Sequence, residues 1–174
     1  MPTPAALDDS RLTVTGLLFE TSTGLGARLA PQLGEHGLST VEFEVLVRLG
    51  RSPASRLRMS DLADQTSLST SGVTRVVDRL ERDGLVARQT CSSDRRGFFA
   101  VLTDAGSRRL AEVLPGHLEL LERWFTGLLD PAALRALADG LRVVRDAVRP
   151  EAVAGSAGLP AGEPDRPSGA RVPA

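Results

Sequence analysis

The stretch that decides the fold is Met59–Val86, MSDLADQTSLSTSGVTRVVDRLERDGLV. Val73, Val76, Val77 and Leu80 recur at i, i+3, i+4 and i+7, the spacing of a helix with one buried stripe. Ser69 is the expected N-cap, because its side-chain oxygen can accept from the free N–H groups of the first turn. Asp83-Gly84 is a stop signal. A shorter helix is expected just upstream, from Asp61 to about Gln65, with Ser60 as cap and Leu62 and Ala63 facing inward. TSLST, between the two, is a turn rich in hydroxyl residues. The face of the longer helix opposite its stripe carries Thr70, Ser71, Thr74, Arg75, Asp78 and Arg79.

Downstream, LVARQT reads as a strand, CSSDRRG as a tight polar turn and FFAVL as a second strand. Short helix, turn, longer helix and hairpin is the order of a winged helix-turn-helix, in which the second helix lies in the major groove of DNA. Small hydroxyl groups at its N-terminal end (Ser69, Thr70, Ser71, Thr74) allow close approach to phosphates and base edges. Arg75 and Arg79, one turn apart, reach a guanine or a phosphate. On the hairpin tip, Arg95 and Arg96 suit a narrow minor groove, and Asp94 is expected to orient a neighbouring arginine through a charge-assisted bond. Each of these residues alone reads as an ordinary solvated side chain; the order in which they are assembled points to DNA.

The segments MSDLADQTSLSTSGVTRVVDRLERDGLV and DRRGFFAVLTDAG resemble the MarR family of bacterial regulators, over roughly Leu7 to Arg149. The resemblance implies a two-fold dimer built through the first helix and the last two. It implies Thr70, Ser71, Thr74 and Arg75 near the major groove, and Arg95 and Arg96 in the wing. It also implies that small molecules or oxidants relieve DNA binding by changing the spacing of the two recognition helices, with repression as the default.

Working outward, a long N-terminal helix is expected from about Ala5 to Leu33, with a break near Pro31 and Gly34. In HGLSTVEFEVLVRLGRS, Ser39 or Thr40 caps a helix whose apolar face is Phe43, Leu46, Val47 and Leu49 and which ends at Gly50. Arg51 to Arg58 is a loop, with LRM as a very short strand. Thr103 caps a helix that Pro115-Gly116 is expected to kink. Asp130-Pro131 opens a last helix carrying Leu134, Leu137, Leu141, Val144 and Val148 on one side. The fold class is therefore mainly α with a small β-hairpin wing (α+β), a winged helix-turn-helix with flanking dimerisation helices. The expected divisions are 1–50 for the N-terminal dimerisation helix and first core helix, 51–103 for the DNA-binding domain, 104–149 for the C-terminal dimerisation helices, and 150–174 for a tail too poor in apolar residues to order. The terminal helices carry apolar stripes that need another surface; a homodimer matches a palindromic site, although the same stripes could instead cover their own winged domain.

Net charge is −1 over 174 residues, with every basic residue an arginine. The charge is uneven: residues 51–109 hold 11 arginines against 7 acids, the rest 10 against 15, so the basic excess coincides with the winged segment. A single cysteine, Cys91, excludes an intramolecular disulfide framework and suggests a reducing compartment. No apolar run approaches the roughly 20 residues of a membrane span, and MPTPAALDDS lacks a signal-peptide pattern, so a cytoplasmic protein with no membrane partner is expected. No nucleophile elbow, phosphate-binding glycine loop or HExxH occurs, so no enzyme is expected. His36, His117 and Cys91 lie too far apart for a metal motif, and neither a metal nor a cofactor is expected. Arg28, His36 and Trp124 are candidates for an effector pocket, and Cys91 for a redox switch, though an apolar aromatic such as Trp124 is more often plain core and Cys91 has no resolving partner. A winged-helix module used for dimerisation or protein contact is the competing class.

Overall fold

The computed structural model describes residues 7–66, 68–91, 94–150 and 152, and their side chains except those of residues 91 and 94–96. The expected tail, apart from Pro150 and Ala152, lies outside the described residues. Helices α1 (Ser10–Glu35), α2 (Thr40–Arg51), α3 (Met59–Thr66), α4 (Thr70–Arg82), α5 (Asp104–Trp124) and α6 (Pro131–Val148) are joined by short 3-10 turns at Pro53–Ser55 and Thr126–Leu128. Strands β1 (Arg56–Arg58), β2 (Val86–Cys91) and β3 (Asp94–Leu102) form an antiparallel sheet in the order β1-β3-β2. Helices with a small antiparallel sheet are the mainly α, winged architecture expected from the sequence.

Local chemistry accounts for the element ends. Ser39 caps α2 in a reciprocal box: its hydroxyl accepts from the Glu42 N–H, while the Glu42 carboxylate accepts from the Ser39 N–H at 2.8 Å. Ser69 caps α4 by accepting from the Gly72 N–H at 3.1 Å, as the sequence suggests. Gly84 (φ +73) ends α4; the N–H of Leu85 returns to the Leu80 carbonyl at 2.9 Å, a closure that needs the left-handed backbone glycine adopts most easily. Gly106 sits where α5 starts against the end of α4's loop. A Cβ there would lie 2.2 Å from the Leu85 carbonyl oxygen, so no other residue fits without moving backbone.

Among the described residues, seventeen buried hydrophobics make one cluster reaching from Leu33 to Val113, with Leu46, Leu49, Leu62, Val73, Val77, Leu80, Val86 and Ala100 among its most buried members. The α4 stripe enters it as expected, except that Val76 is only partly buried. On α2 the buried set is Phe43, Val45, Leu46 and Leu49; Val45 takes the place expected for Val47, which packs at the margin.

Several expected boundaries differ. The break near Pro31 is absent: α1 runs through it to Glu35. Its last turn is held from outside, by burial of Leu33 and by the Gln32 amide donating to the Val113 carbonyl at 3.1 Å. Helix α5, as expected, is a single helix that includes Pro115, anchored beyond the proline by buried His117. Tertiary contacts here outweigh the one backbone hydrogen bond each proline removes. Helix α2 continues past Gly50 to Arg51. Ser60 is not a cap, because β1 passes directly into α3 at Met59 and the Ser60 hydroxyl donates to Asp61. Strand β3 starts at Asp94, so the second half of the expected turn is strand.

Candidate nucleic-acid interface

Helix α4 turns its stripe inward and leaves Thr70, Ser71, Thr74, Arg75, Asp78 and Arg79 exposed. The hydroxyls are ordered by the helix itself. Ser69 Oγ lies 3.1 Å from Ser71 Oγ, and Thr74 donates to the Thr70 carbonyl at 2.9 Å. Arg75 leans back, its Nε donating to the Ser71 carbonyl at 3.4 Å. These side chains lie close to the helix surface, with acceptor lone pairs and guanidinium donors still presented outward. Arg79 differs. Its Nε is 2.9 Å from Glu42 Oε1, a carboxylate only 4% exposed, so Arg79 joins α4 to the start of α2.

Two residues that sequence reasoning missed organise the ground beneath this face. Glu42 is one: already committed to the cap of α2, its carboxylate also takes Arg79. Arg88 on β2 is the other. Its guanidinium donates to Asp78 Oδ1 at 2.6 Å and to Glu81, its backbone N–H donates to Glu81 at 3.0 Å, and Nη2 approaches the Thr74 carbonyl at 3.4 Å. The two acids outweigh the loss of water around the partly buried guanidinium and hold the Arg88 pKa above its usual value. A signal was present for Arg88. In the register Val86↔Leu102 and Arg88↔Ala100, residue 88 shares the helix-facing side of the sheet with buried Val86, and a cation placed there needs acceptors.

The backbone of Asp94, Arg95 and Arg96 belongs to β3 and that of Cys91 to β2, with the irregular end of the ladder at Thr90/Cys91. Their side chains lie outside the description, so the expected roles of Asp94 as wing support, of Arg95 and Arg96 as minor-groove contacts and of Cys91 as a redox centre all fall there.

Of the effector-pocket candidates, two meet. The Arg28 guanidinium carbon lies 4.5 Å from the Trp124 ring centre, and Arg123 covers the same ring at 4.9 Å. His36 is not with them. It is the C-cap of α1, eight residues beyond Arg28 and so about 12 Å along the axis, and its carbonyl accepts from Arg109 at 2.7 Å. The nearby groove on α5, lined by Pro115, Leu118, Leu121 and Thr126 with Glu119, Glu122 and Arg123, contains none of the three candidates. His117, the other histidine, is buried beneath, its ring 4.4 Å from that of Phe43 and its Nδ1 3.3 Å from Gln32 Oε1; burial pushes its pKa down. Among the described residues no group of acids, histidines or cysteine could hold a metal ion, and no helix is long and apolar enough to cross a membrane.

The terminal helices differ from this core. Helix α6 buries no residue and α1 only Leu33, while Leu12, Val14, Leu17, Leu18, Leu141, Val143, Val144 and Val148 are exposed.

Comparison with known proteins places this geometry. The MarR family profile matches residues 36–97, from the start of the α1–α2 junction to the wing. The HTH-type transcriptional repressor YetL of Bacillus subtilis is 31% identical over 115 residues, 66% of this chain and 69% of YetL. Among solved structures, the MarR family regulator AbsC of Streptomyces coelicolor shares 36% identity with a TM-score of 0.75, covering 82% of this chain and 96% of AbsC. Sco3205 from the same organism, solved in complex with DNA, shares 35% identity with a TM-score of 0.74, covering 80% of this chain and 88% of Sco3205. With its fold and an exposed hydroxyl-and-arginine helix beside a wing, the chain belongs to the MarR family of DNA-binding transcriptional regulators.

Proposed function

We propose that the protein is a homodimeric repressor that binds a near-palindromic operator in the cytoplasm and is released by a small-molecule effector. The observation that carries the reading is the outer face of α4, where Ser69, Thr70, Ser71, Thr74 and Arg75 stand exposed on a helix whose other face is locked into the core. In the proposed complex these residues enter the major groove, Arg79 flanks them one turn on, and Arg95 and Arg96 enter the adjacent minor groove. Residues 51–103 act as the reading domain, with 1–50 and 104–149 supplying the pairing helices. The apolar stripes of α1 and α6 support pairing, because exposed stripes of this extent need a partner surface. A two-fold dimer sets two reading helices roughly 34 Å apart, one turn of DNA. Arg28 stacked on Trp124 supports an anionic aromatic as the effector's chemical class.

The test is fluorescence anisotropy of the purified chain against duplexes from upstream of its own gene, titrated across salt. Saturable binding of two protomers to one short near-palindrome, far tighter than to scrambled DNA, is the expected result. Weak binding indifferent to sequence would reject the reading and favour a protein-contact module.

A further inference from the structure

A helix in the major groove and a wing in the neighbouring minor groove leave one part of the duplex between them. The sugar–phosphate ridge that divides the two grooves must run through the gap between helix and hairpin. In this structure that gap is a cleft of about 570 Å³ lined by Arg58, Met59, Ser60, Thr74, Asp78, Arg88, Gly97 and Phe98. Asp78, with Glu81 close behind it on the same helix, would repel a phosphate chain if left bare. Arg88 pairs with both acids at once.

From this we infer that the cleft is the seat of the DNA backbone ridge, with Arg58 as its cationic ligand and Arg88 as the residue that makes the seat possible by cancelling Asp78 and Glu81. The inference rests on the DNA-reading function above. Arg58 ends β1 opposite Phe99, and its guanidinium carbon lies 5.6 Å from that ring, with Arg56 at 4.9 Å on the same ring. The aromatic surface restrains the arginines without neutralising them, and no ion pair involves Arg58 among the described residues. Ser60, the second residue of α3, adds a hydroxyl at the same edge. Arg88 is a positioning residue: it acts on DNA through the acids it holds.

The experiment measures anisotropy of the full chain with an operator duplex and a scrambled duplex over a salt series. Arg58→Gln is expected to weaken both by roughly tenfold and to reduce the salt slope by about one unit, the signature of one lost phosphate contact. Arg58→Lys, which keeps the charge, should restore the slope. Arg88→Gln should weaken both duplexes, most at low salt, and adding Asp78→Asn and Glu81→Gln to it should return affinity to near the parent value. An unchanged affinity and slope for Arg58→Gln would overturn the seat. A triple variant as weak as Arg88→Gln alone, with an unaltered circular dichroism spectrum, would overturn the neutralising role. If Arg88→Gln does not fold, the double variant Asp78→Asn/Glu81→Gln decides: it should bind no more weakly than the parent, and weaker binding overturns the role. Failure of the parent protein to bind either duplex would instead reject the DNA-reading function itself.

Discussion

The residues between Leu33 and Val113 and the two terminal helices obey the same sequence rules and end in opposite environments. Both have apolar stripes at helical spacing. The middle stripes close on one another, so Leu46, Leu49, Val73, Val77 and Leu80 have no exposed surface. Apart from the last turns of α1, which end at buried Leu33, the stripes of α1 and α6 stay open among the described residues, with Leu17, Leu18, Leu141 and Val144 exposed. Periodicity therefore reports that a face is meant to be covered, and only the fold reports whether the cover is internal. A winged core sealed by α2, the end of α1 and the first half of α5, with the rest of the terminal helices bare, is a reading head attached to an assembly surface.

The largest expected effect separates the two regions directly. Leu46→Ala opens a cavity in the closed core and should cost about 2–5 kcal/mol in denaturant unfolding. Val144→Asp, on α6, should change unfolding of the single chain by no more than about 0.5 kcal/mol while halving the mass seen by sedimentation. Equal costs for the two, or an unaltered mass, would erase the distinction.

Helix caps sharpen it at a smaller scale. Ser39→Ala breaks a box at the edge of the core and should cost about 1 kcal/mol. Asp130, whose carboxylate accepts from the N–H groups of Ala132 and Ala133 at 2.9 and 2.8 Å, caps a helix that buries nothing of its own chain. Asp130→Ala should leave the core transition in place and lower only helical ellipticity.

The smallest effect is at the seam between the regions. His117 is buried and its pKa is depressed below 6.5. Above the unfolded pKa of about 6.5 both states are neutral there and its contribution is complete. Below it the unfolded chain takes up the proton first, so stability falls with pH until the folded pKa is reached. Urea midpoints compared between pH 7.5 and 5.5 should fall less in His117→Gln than in the parent; an equal fall would remove His117 from the seam's pH response.

Most of the reading head was legible in the sequence. Ser69, the stripe of α4 and the Gly84 stop lie within one stretch, and their physics is local. The face opposite the stripe was legible for the same reason, since burying Val73, Val77 and Leu80 leaves Thr70, Thr74 and Arg75 no other direction. What escaped notice depends on distant partners. Arg88 meets acids seven and ten residues away through the sheet register. Glu42 bonds Arg79 on another helix, 37 residues further along the chain. The expected break at Pro31 failed for a kindred reason: that proline stands near the crossing of α1 and α5, where Gln32, Val113 and His117 bind one helix to the other.

That crossing has a mechanical consequence. Helix α1 has 26 residues, a rod of about 39 Å, gripped at one end by Gln32 and Leu33; a tilt of roughly 5° at the grip displaces the far end by roughly 3 Å. If the far end is clamped against a twin, the displacement appears at the other side of the fulcrum, as a swing of the whole reading head. A side-chain-sized change at the pivot is thus geared up into a mismatch with the pitch of DNA, with no need to distort the head itself.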